Sequence, residues 1–337
     1  MASCFVIGST RLLALSMLIV AAPGAATAHD ASATAPSHAA APVLQLIGLT
    51  QANEVQSAQA WSLKNRVEIR IAGDKRVIRA NGIPNHETGR FPNRNNPNTI
   101  REQSYVFRVD VDPQMRDRIE ILELGKFGVA VNGVPFDPGA AEFWNRDRGS
   151  GWRYEALSGA INLGLDGSNA HVQPNGAYHY HGLPTGLIER WSRDIHSAIV
   201  GYAADGFPVY AVYGLSDPEN AASPVRALRA SYAVRGGTRP DGPGDAYDGT
   251  FVEDYEYVVG AGDLDQCNGR QTVTPDYPQG SYAYFLTESF PFIPRCFRGK
   301  PDSSFAQRRN PGADGLGPGE EPFRRGLPPP RRGPPQR

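Results

Sequence analysis

Three histidines lie within eleven residues of this chain, and their spacing is typical of a metal site. His171 precedes a Pro-Asn-Gly segment at 174–176, and His179 and His181 follow it in a Tyr-His-Tyr-His run. Imidazole nitrogens bind Cu and Zn, and one ion can bridge several rings at about 2.0–2.1 Å per nitrogen. The residues therefore predict a transition-metal centre, provided that the fold brings the three rings together.

The Pro-Asn-Gly segment predicts the tight turn of a β-hairpin. Proline sets φ at the first loop position, asparagine tolerates the second, and glycine adopts the left-handed third. With this three-residue loop, His171 pairs with His179, and His181 shares their face because strand side chains alternate. A two-residue Asn-Gly loop is the alternative. It would turn His171 to the opposite face and leave Pro174, which has no N–H, inside a strand.

Other residues near the hairpin are candidates for completing or supporting the site. His196 or His86 would provide a fourth ligand, and the carboxylate of Asp166 is a possible substitute. Tyr178 and Tyr180 are expected on the opposite face, where they would support the hairpin. The metal-free alternative is a structural ladder in which the tyrosines and histidines only hydrogen-bond one another.

The candidate site leaves three functions open. The first is an exported protein that binds Cu or Zn, and the second is a metal-dependent hydrolase or copper oxidoreductase. An enzyme would need an open coordination position and a general base. The third is a metal-free secreted interaction module. The sequence does not identify the catalytic residues of an enzyme; carboxylates that could act as the base are Glu142, Glu155, Asp166 and Asp205.

A three-histidine site also predicts a pH dependence. The unperturbed pKa of histidine is about 6.5, and protons compete with a metal for each ring. We therefore expect metal affinity to fall below about pH 6, with more than one proton taken up as the metal leaves.

The two ends of the chain predict export and a division into segments. Residues 1–28 are a predicted secretory signal peptide, with Arg11 as the only charge, an apolar run at 12–22 and a small-residue cleavage site at 26–28. Residues 29–43 are predicted to be a low-complexity linker, 44–299 a β-rich domain, and 300–337 a disordered Pro/Arg/Gly-rich tail. These features predict a periplasmic or secreted protein without a transmembrane segment.

Cysteine and charge content are consistent with export. Removal of the signal peptide leaves Cys267 and Cys296, and two thiols in an oxidising compartment usually pair. Free thiols or thiolate metal ligands are the alternatives to this predicted disulfide. The chain holds 34 Lys and Arg against 35 Asp and Glu, a net charge of −1. Because bases exceed acids in the tail, the folded part is mildly acidic, which disfavours nucleic acid as a partner.

Alternating apolar and polar residues predict strands through most of the domain. Examples occur at 67–71, 76–79, 105–111, 199–203 and 282–286. Helical periodicity is confined to 141–145 and 221–230, and 37 glycines and 29 prolines interrupt the pattern. The prediction is a mainly β fold, a sandwich or open barrel with long Gly/Pro-rich loops and few short helices.

Two repeated patterns accompany these strands. Asn/Asp-Gly-x-Pro occurs at 81–84, 132–135 and 205–208, and it predicts turns with glycine at positive φ. Residues 174–181 are also echoed at 278–285, where the turn and both tyrosines recur but both histidines are replaced. The echo predicts an internal duplication in which one copy carries the chemistry.

These motifs occur in the order found in a known family. The relevant segments are 81–86, 131–136, 169–182, 201–208, 264–269 and 294–297. The chain resembles the YHYH protein family, named for Tyr178-His179-Tyr180-His181, over about residues 61–299. The resemblance implies a secreted domain without an established activity, so it supplies no catalytic residues.

Overall fold

The computed structural model describes residues 63–189 and 191–306. The predicted signal peptide, the linker at 29–43 and most of the tail at 300–337 lie outside the described residues, so these three segments stay predictions. No helix in the described part of the chain has the length and apolar character needed to span a bilayer.

The described chain is mainly β, as the sequence predicted. Its strands are β1 (Val67–Ala72), β2 (Lys75–Ala80), β3 (Tyr105–Asp110), β4 (Glu120–Ile121), β5 (Gly128–Ala130), β6 (Pro135–Phe136), β7 (Ala170–Val172), β8 (Tyr178–Tyr180), β9 (Ile199–Ala203), β10 (Pro208–Tyr210), β11 (Tyr213–Leu215), β12 (Val225–Ala227), β13 (Tyr232–Val234), β14 (Tyr255–Tyr257), β15 (Gly269–Thr272), β16 (Ser281–Phe285) and β17 (Cys296–Phe297). Within residues 63–189 and 191–306, helical structure is limited to α1 (Thr185–Ile188) and the 3₁₀ turns Trp144–Arg146, Arg148–Ser150, Val252–Asp254 and Ser303–Phe305.

One large mixed sheet organises these strands. Its eight strands follow the order β15-β16-β10-β9-β5-β6-β8-β7, and the histidine hairpin β7–β8 forms one edge. The pairs β10–β16 and β6–β8 are parallel, and the other neighbours are antiparallel. A three-stranded sheet, β1-β2-β3, and the two-stranded pairs β11-β12, β13-β14 and β17-β4 complete the strand pairing.

The three-stranded sheet and the large sheet share one hydrophobic core. Ile78, Phe107 and Val109 of the small sheet belong to the same buried cluster as Tyr178 and Tyr180 of the large one. Burial of each large apolar side chain stabilises the fold by roughly 1.5–3 kcal/mol. The tyrosine side of the histidine hairpin is therefore fixed by the core, and alternation directs the histidines to the other side.

The helical prediction at 221–230 is wrong. Residues Val225–Ala227 form β12, which pairs with Tyr213–Leu215 of β11. Pro224 interrupts any helix there because proline has no N–H and its ring clashes with the preceding turn. At 141–145 the chain forms only part of a 3₁₀ turn, Trp144–Arg146.

The predicted disulfide is present. Cys267 and Cys296 are bonded, with their Cα atoms 5.1 Å apart and a sequence separation of 29. A disulfide that closes a loop of this length stabilises the folded state by about 3–4 kcal/mol, because it restricts the unfolded chain. The free-thiol and thiolate-ligand alternatives are wrong, so the two sulfurs do not contribute to a metal site.

Candidate metal centre

Strands β7 and β8 form the predicted hairpin in the predicted register. His171 pairs directly with His179. Gln173 N–H donates to the Ala177 carbonyl at 3.0 Å, and Gly176 N–H donates to the Gln173 carbonyl at 2.8 Å, which closes the three-residue loop. Gly176 has a φ of +88°, the left-handed conformation that this loop requires. The two-residue loop is therefore wrong, and all three histidines lie on one face.

The three imidazole rings form a nearly equilateral triangle. Ring centroids lie 4.7 Å apart for His171–His179, 4.7 Å for His171–His181 and 4.8 Å for His179–His181. One nitrogen from each ring can be chosen so that all three lie within 4.8 Å of one another. His179 and His181 are only 3% and 1% exposed, and His171 is half-buried. The cluster could hold a metal ion.

Backbone carbonyls orient two of the rings. Nδ1 of His171 donates to the Leu163 carbonyl at 2.9 Å, and Nδ1 of His179 donates to the Ala177 carbonyl at 3.1 Å. A carbonyl oxygen only accepts, so each Nδ1 carries the ring proton and each neutral Nε2 keeps a free lone pair. Metal-binding histidines are commonly held in this way by a second hydrogen bond.

The third ring brings two of the metal-binding nitrogens close together. Nε2 of His181 lies 3.1 Å from Nε2 of His171. Two nitrogens on one tetrahedral metal, each at 2.0–2.1 Å, lie about 3.4 Å apart. Because the Nε2 of His171 presents a lone pair, the short separation needs either a proton on His181 or a cation between the rings. Nδ1 of His181 is buried and has no hydrogen-bond partner among the described residues.

Burial keeps all three rings neutral at pH 7. Desolvation lowers the pKa of His171, lowers that of His179 to about 3, and lowers that of His181 well below its usual value. His171 also lowers the pKa of His179, and both of these rings lower that of His181, because adjacent imidazolium charges repel. A metal binds only the deprotonated nitrogen, so the cluster holds its ligands in the required state.

The opposite face of the hairpin carries a tyrosine network. Tyr178 donates its hydroxyl proton to Asp166 at 2.7 Å. The Tyr180 hydroxyl lies 2.9 Å from the Asn132 amide, which donates to it, and 2.6 Å from Nε2 of His86. Burial raises the pKa of both tyrosines, so their hydroxyls stay protonated. These contacts explain the tyrosines as structural supports of the hairpin.

The structure does not bring the other predicted ligands to the triangle. Asp166 and His86 are bound to the tyrosine side, as described above. His196 packs against Tyr210 at 4.9 Å and Phe285 at 6.1 Å between ring centroids, and it is not part of the three-histidine group. The structure thus brings together His171, His179 and His181, and it places the remaining candidates elsewhere.

Sequence reasoning did not anticipate the role of Asn132. This residue begins one of the Asn/Asp-Gly-x-Pro turns, and its side chain reaches the Tyr180 hydroxyl. Its counterpart Asp205 begins another such turn and accepts a hydrogen bond from the Tyr284 hydroxyl at 2.6 Å. The recurrence of these turns beside two Tyr-x-Tyr strands was the signal that could have predicted both contacts.

Fold and site together define a β-sheet protein whose edge hairpin carries a three-histidine cluster on one face and a tyrosine network on the other. The chain belongs to the YHYH protein family: the family's model matches residues 106–299, more than half of the 337-residue chain. The matched region contains the whole hairpin. No curated protein and no solved structure matches the chain.

Proposed function

We propose that this is an exported YHYH-domain protein that binds a Cu or Zn ion through His171, His179 and His181. The observation that carries the proposal is the 3.1 Å approach of two Nε2 atoms within a buried, neutral triangle of imidazoles. Nitrogen donors favour Cu and Zn, whereas Mg and Ca prefer oxygen ligands. Export rests on the predicted signal peptide, and the Cys267–Cys296 disulfide is consistent with it.

Metal removal is expected to destabilise the domain. An ion present at a thousandfold excess over its Kd stabilises the folded state by about 4 kcal/mol. For a domain of this size, each kcal/mol shifts Tm by roughly 2–4 °C, so a chelator should lower Tm by roughly 10 °C. The measurement is thermal unfolding of zinc-loaded and copper-loaded protein, with and without chelator, followed by metal analysis of each sample.

Readdition of the metal serves as the control for this experiment. Zn or Cu returned to the stripped protein should restore Tm, because the folded domain supplies the ligands without a new covalent step. An unchanged Tm after stripping, together with no bound metal after exposure to both ions, would contradict the proposal. That outcome would favour the metal-free interaction module.

A metal-dependent enzyme is the second candidate. Catalytic zinc sites commonly use three protein ligands and keep a fourth position open, and this cluster supplies three. Cobalt replacing zinc gives a visible spectrum that reports its coordination number. If adding azide changes that spectrum, the fourth position is open to small molecules. An unchanged spectrum would leave a binding or structural role.

A further inference from the structure

The large sheet is built from two equivalent halves around the β5–β9 pair. On one side of the centre, the hairpin β5–β6 is followed by the hairpin β8–β7. On the other side, the hairpin β9–β10 is followed by the hairpin β16–β15. Val131 N–H donates to Val200 at 2.9 Å, and Ala204 N–H donates to Phe127 at 2.8 Å. The two bonds are equivalent: Val131 corresponds to Ala204, 73 residues later, and Phe127 corresponds in the same way to Val200. The sheet thus has an approximate two-fold axis between β5 and β9.

Equivalent glycines allow the two halves to meet. A Cβ added to Gly128 would lie 2.4 Å from the Tyr202 carbonyl oxygen, and one added to Gly201 would lie 2.4 Å from that of Val129. Both values are far inside van der Waals contact. The same residue type performs the same packing role on each side of the axis, as the predicted internal duplication requires.

The two outer hairpins are equivalent in their hydrogen bonds as well. Tyr178 donates to Asp166, and Tyr282 donates to Asp265 at 3.0 Å. The backbone at the start of each hairpin also matches, with Asn169 at a φ of +54° and Asn268 at +55°. Residues that make the same contacts in both halves have a structural role that does not depend on the histidines.

The histidines have no counterparts in the second half. The strand pairing places Arg270 at the position of His171 and Ala283 at the position of His179. The next position, that of His181, is taken by Phe285: both N–H groups donate to the asparagine carbonyl that starts the hairpin, His181 to Asn169 and Phe285 to Asn268. The comparison therefore separates the scaffold from the residues particular to the histidine half.

The same comparison identifies a fourth residue particular to the histidine half. Asp137 follows β6, and its counterpart Tyr210 is the last residue of β10, because Phe136 pairs with Tyr180 as Val209 pairs with Tyr284. At equivalent positions, the first half of the sheet therefore has the carboxylate of Asp137 and the second half has the phenol of Tyr210.

Asp137 lies on the histidine face of the sheet. Phe136 contacts Tyr180 on the tyrosine face, with ring centroids 5.9 Å apart, so alternation directs the next side chain to the other face. Gln173, which shares that face with His171, donates to the Asp137 carboxylate at 3.4 Å. Asp137 N–H donates to the Tyr180 carbonyl at 2.9 Å, and Tyr180 lies between His179 and His181 in the chain. The side chain is only 5% exposed.

A buried metal dication on three neutral imidazoles needs a compensating negative charge. Transfer of an uncompensated charge into a protein interior is strongly unfavourable. Burial raises the pKa of Asp137 to about 6, so the group is still charged at pH 7. Glu142 and Asp166 raise the pKa of His171, but Glu142 is exposed and Asp166 is bound on the tyrosine face. Lys126 and Arg295 lower the pKa of Asp137 and also act on the cluster, which increases the need for a negative charge beside a bound cation.

We infer that Asp137 belongs to the metal site and supplies the negative charge that a divalent ion needs there. The inference rests on the proposed function and adds a residue to the same site. The observation that supports it is the internal comparison: where the first half of the sheet has the three histidines and Asp137, the second half has Arg270, Ala283, Phe285 and Tyr210.

The test compares Asp137→Asn with Asp205→Asn. Zn²⁺ affinity, measured by competition with a chelating dye at pH 7.5, should fall about 10–100-fold for D137N, the usual cost of losing a partner outside the ligand set. D205N should bind as tightly as the unaltered protein. Asp205 is a matched control because burial also raises its pKa to about 6, while its counterpart in the first half is already an asparagine.

Comparing a divalent with a monovalent ion shows whether D137N weakens binding by removing a negative charge or by disturbing the packing of the site. Coulomb energy is proportional to charge, so a monovalent ion should lose about half the binding energy that a divalent ion loses. Ag⁺ needs no reductant and leaves the disulfide intact. Its affinity should fall only about 3–10-fold in D137N, the square root of the Zn²⁺ effect.

Each outcome bears on the assignment. Equal weakening for both ions, or no weakening, would overturn the role of Asp137 and leave the three-histidine site standing. Failure of the unaltered protein to bind either ion would overturn both proposals. If D137N does not fold, Asp137→Ser provides a second neutral side chain, for which the same charge-dependent losses are expected.

Discussion

Replacing His179 by alanine and His181 by phenylalanine is expected to abolish metal binding without unfolding the domain. The pair removes two of three ligands, so the affinity should fall more than 100-fold, beyond the 10–100-fold usual for outer partners. The fold should persist because alanine and phenylalanine occupy the equivalent positions, Ala283 and Phe285, in the second half of the sheet. Metal analysis after loading and dialysis measures the loss.

Replacement of His196, a buried histidine outside the cluster, is the control that shows whether losing any buried imidazole weakens metal binding. His196 is buried against Tyr210, and burial lowers its pKa as it does for the cluster. His196→Ala should therefore lose packing but retain the metal. Full metal retention by the double variant, or equal loss in His196→Ala, would contradict a site made by the three clustered histidines. His179→Ala plus His181→Ala provides a second test if phenylalanine does not fit.

The hairpin could be predicted from sequence because its determinants are local. Pro174, Asn175 and Gly176 set the turn, the turn sets the register, and the register decides which side chains share a face. The alternation of histidine with tyrosine then follows from strand geometry, and the structure confirms the pairing of His171 with His179. The triangle therefore required no information from elsewhere in the chain.

Partners beyond the hairpin could not be predicted, since they depend on the order of strands in the sheet. Asp137 lies more than thirty residues before His171 and lies beside the hairpin only because β6 pairs in parallel with β8. His196 is closer in sequence to the hairpin, yet it lies with Tyr210 in the second half of the sheet. Proximity in sequence therefore suggested a residue that the structure places away from the three-histidine group.

The helical prediction at 221–230 failed for a related reason. Alanine-rich composition favours a helix locally, but Pro224 and the pairing of Val225–Ala227 with β11 decide the structure. The turns at 132–135 and 205–208 show the opposite case. Their local chemistry was predicted correctly, whereas the side chains of Asn132 and Asp205 acquired their partners from strands far away in sequence.

Acid should release the metal well below pH 6, contrary to the expectation from unperturbed histidines. Burial lowers the pKa of His179 to about 3, so a proton does not compete for its ring at pH 5 while the domain is folded. In the unfolded chain the same ring has a pKa of about 6.5. The unfolded state therefore binds more protons between about pH 3 and 6.5, and stability is lost as pH falls through this interval.

The metal is accordingly expected to leave when the domain unfolds in acid, below about pH 5, with proton uptake concentrated in the same step. His179 alone accounts for about 4 kcal/mol of lost stability by pH 3 in the metal-free protein. Metal occupancy and tryptophan fluorescence, recorded from pH 7 to pH 3, should change together, and the chelator-treated protein should unfold at higher pH than the loaded one. Release near pH 6 with native fluorescence would contradict this prediction, because it would mean that the rings are protonated within the folded domain.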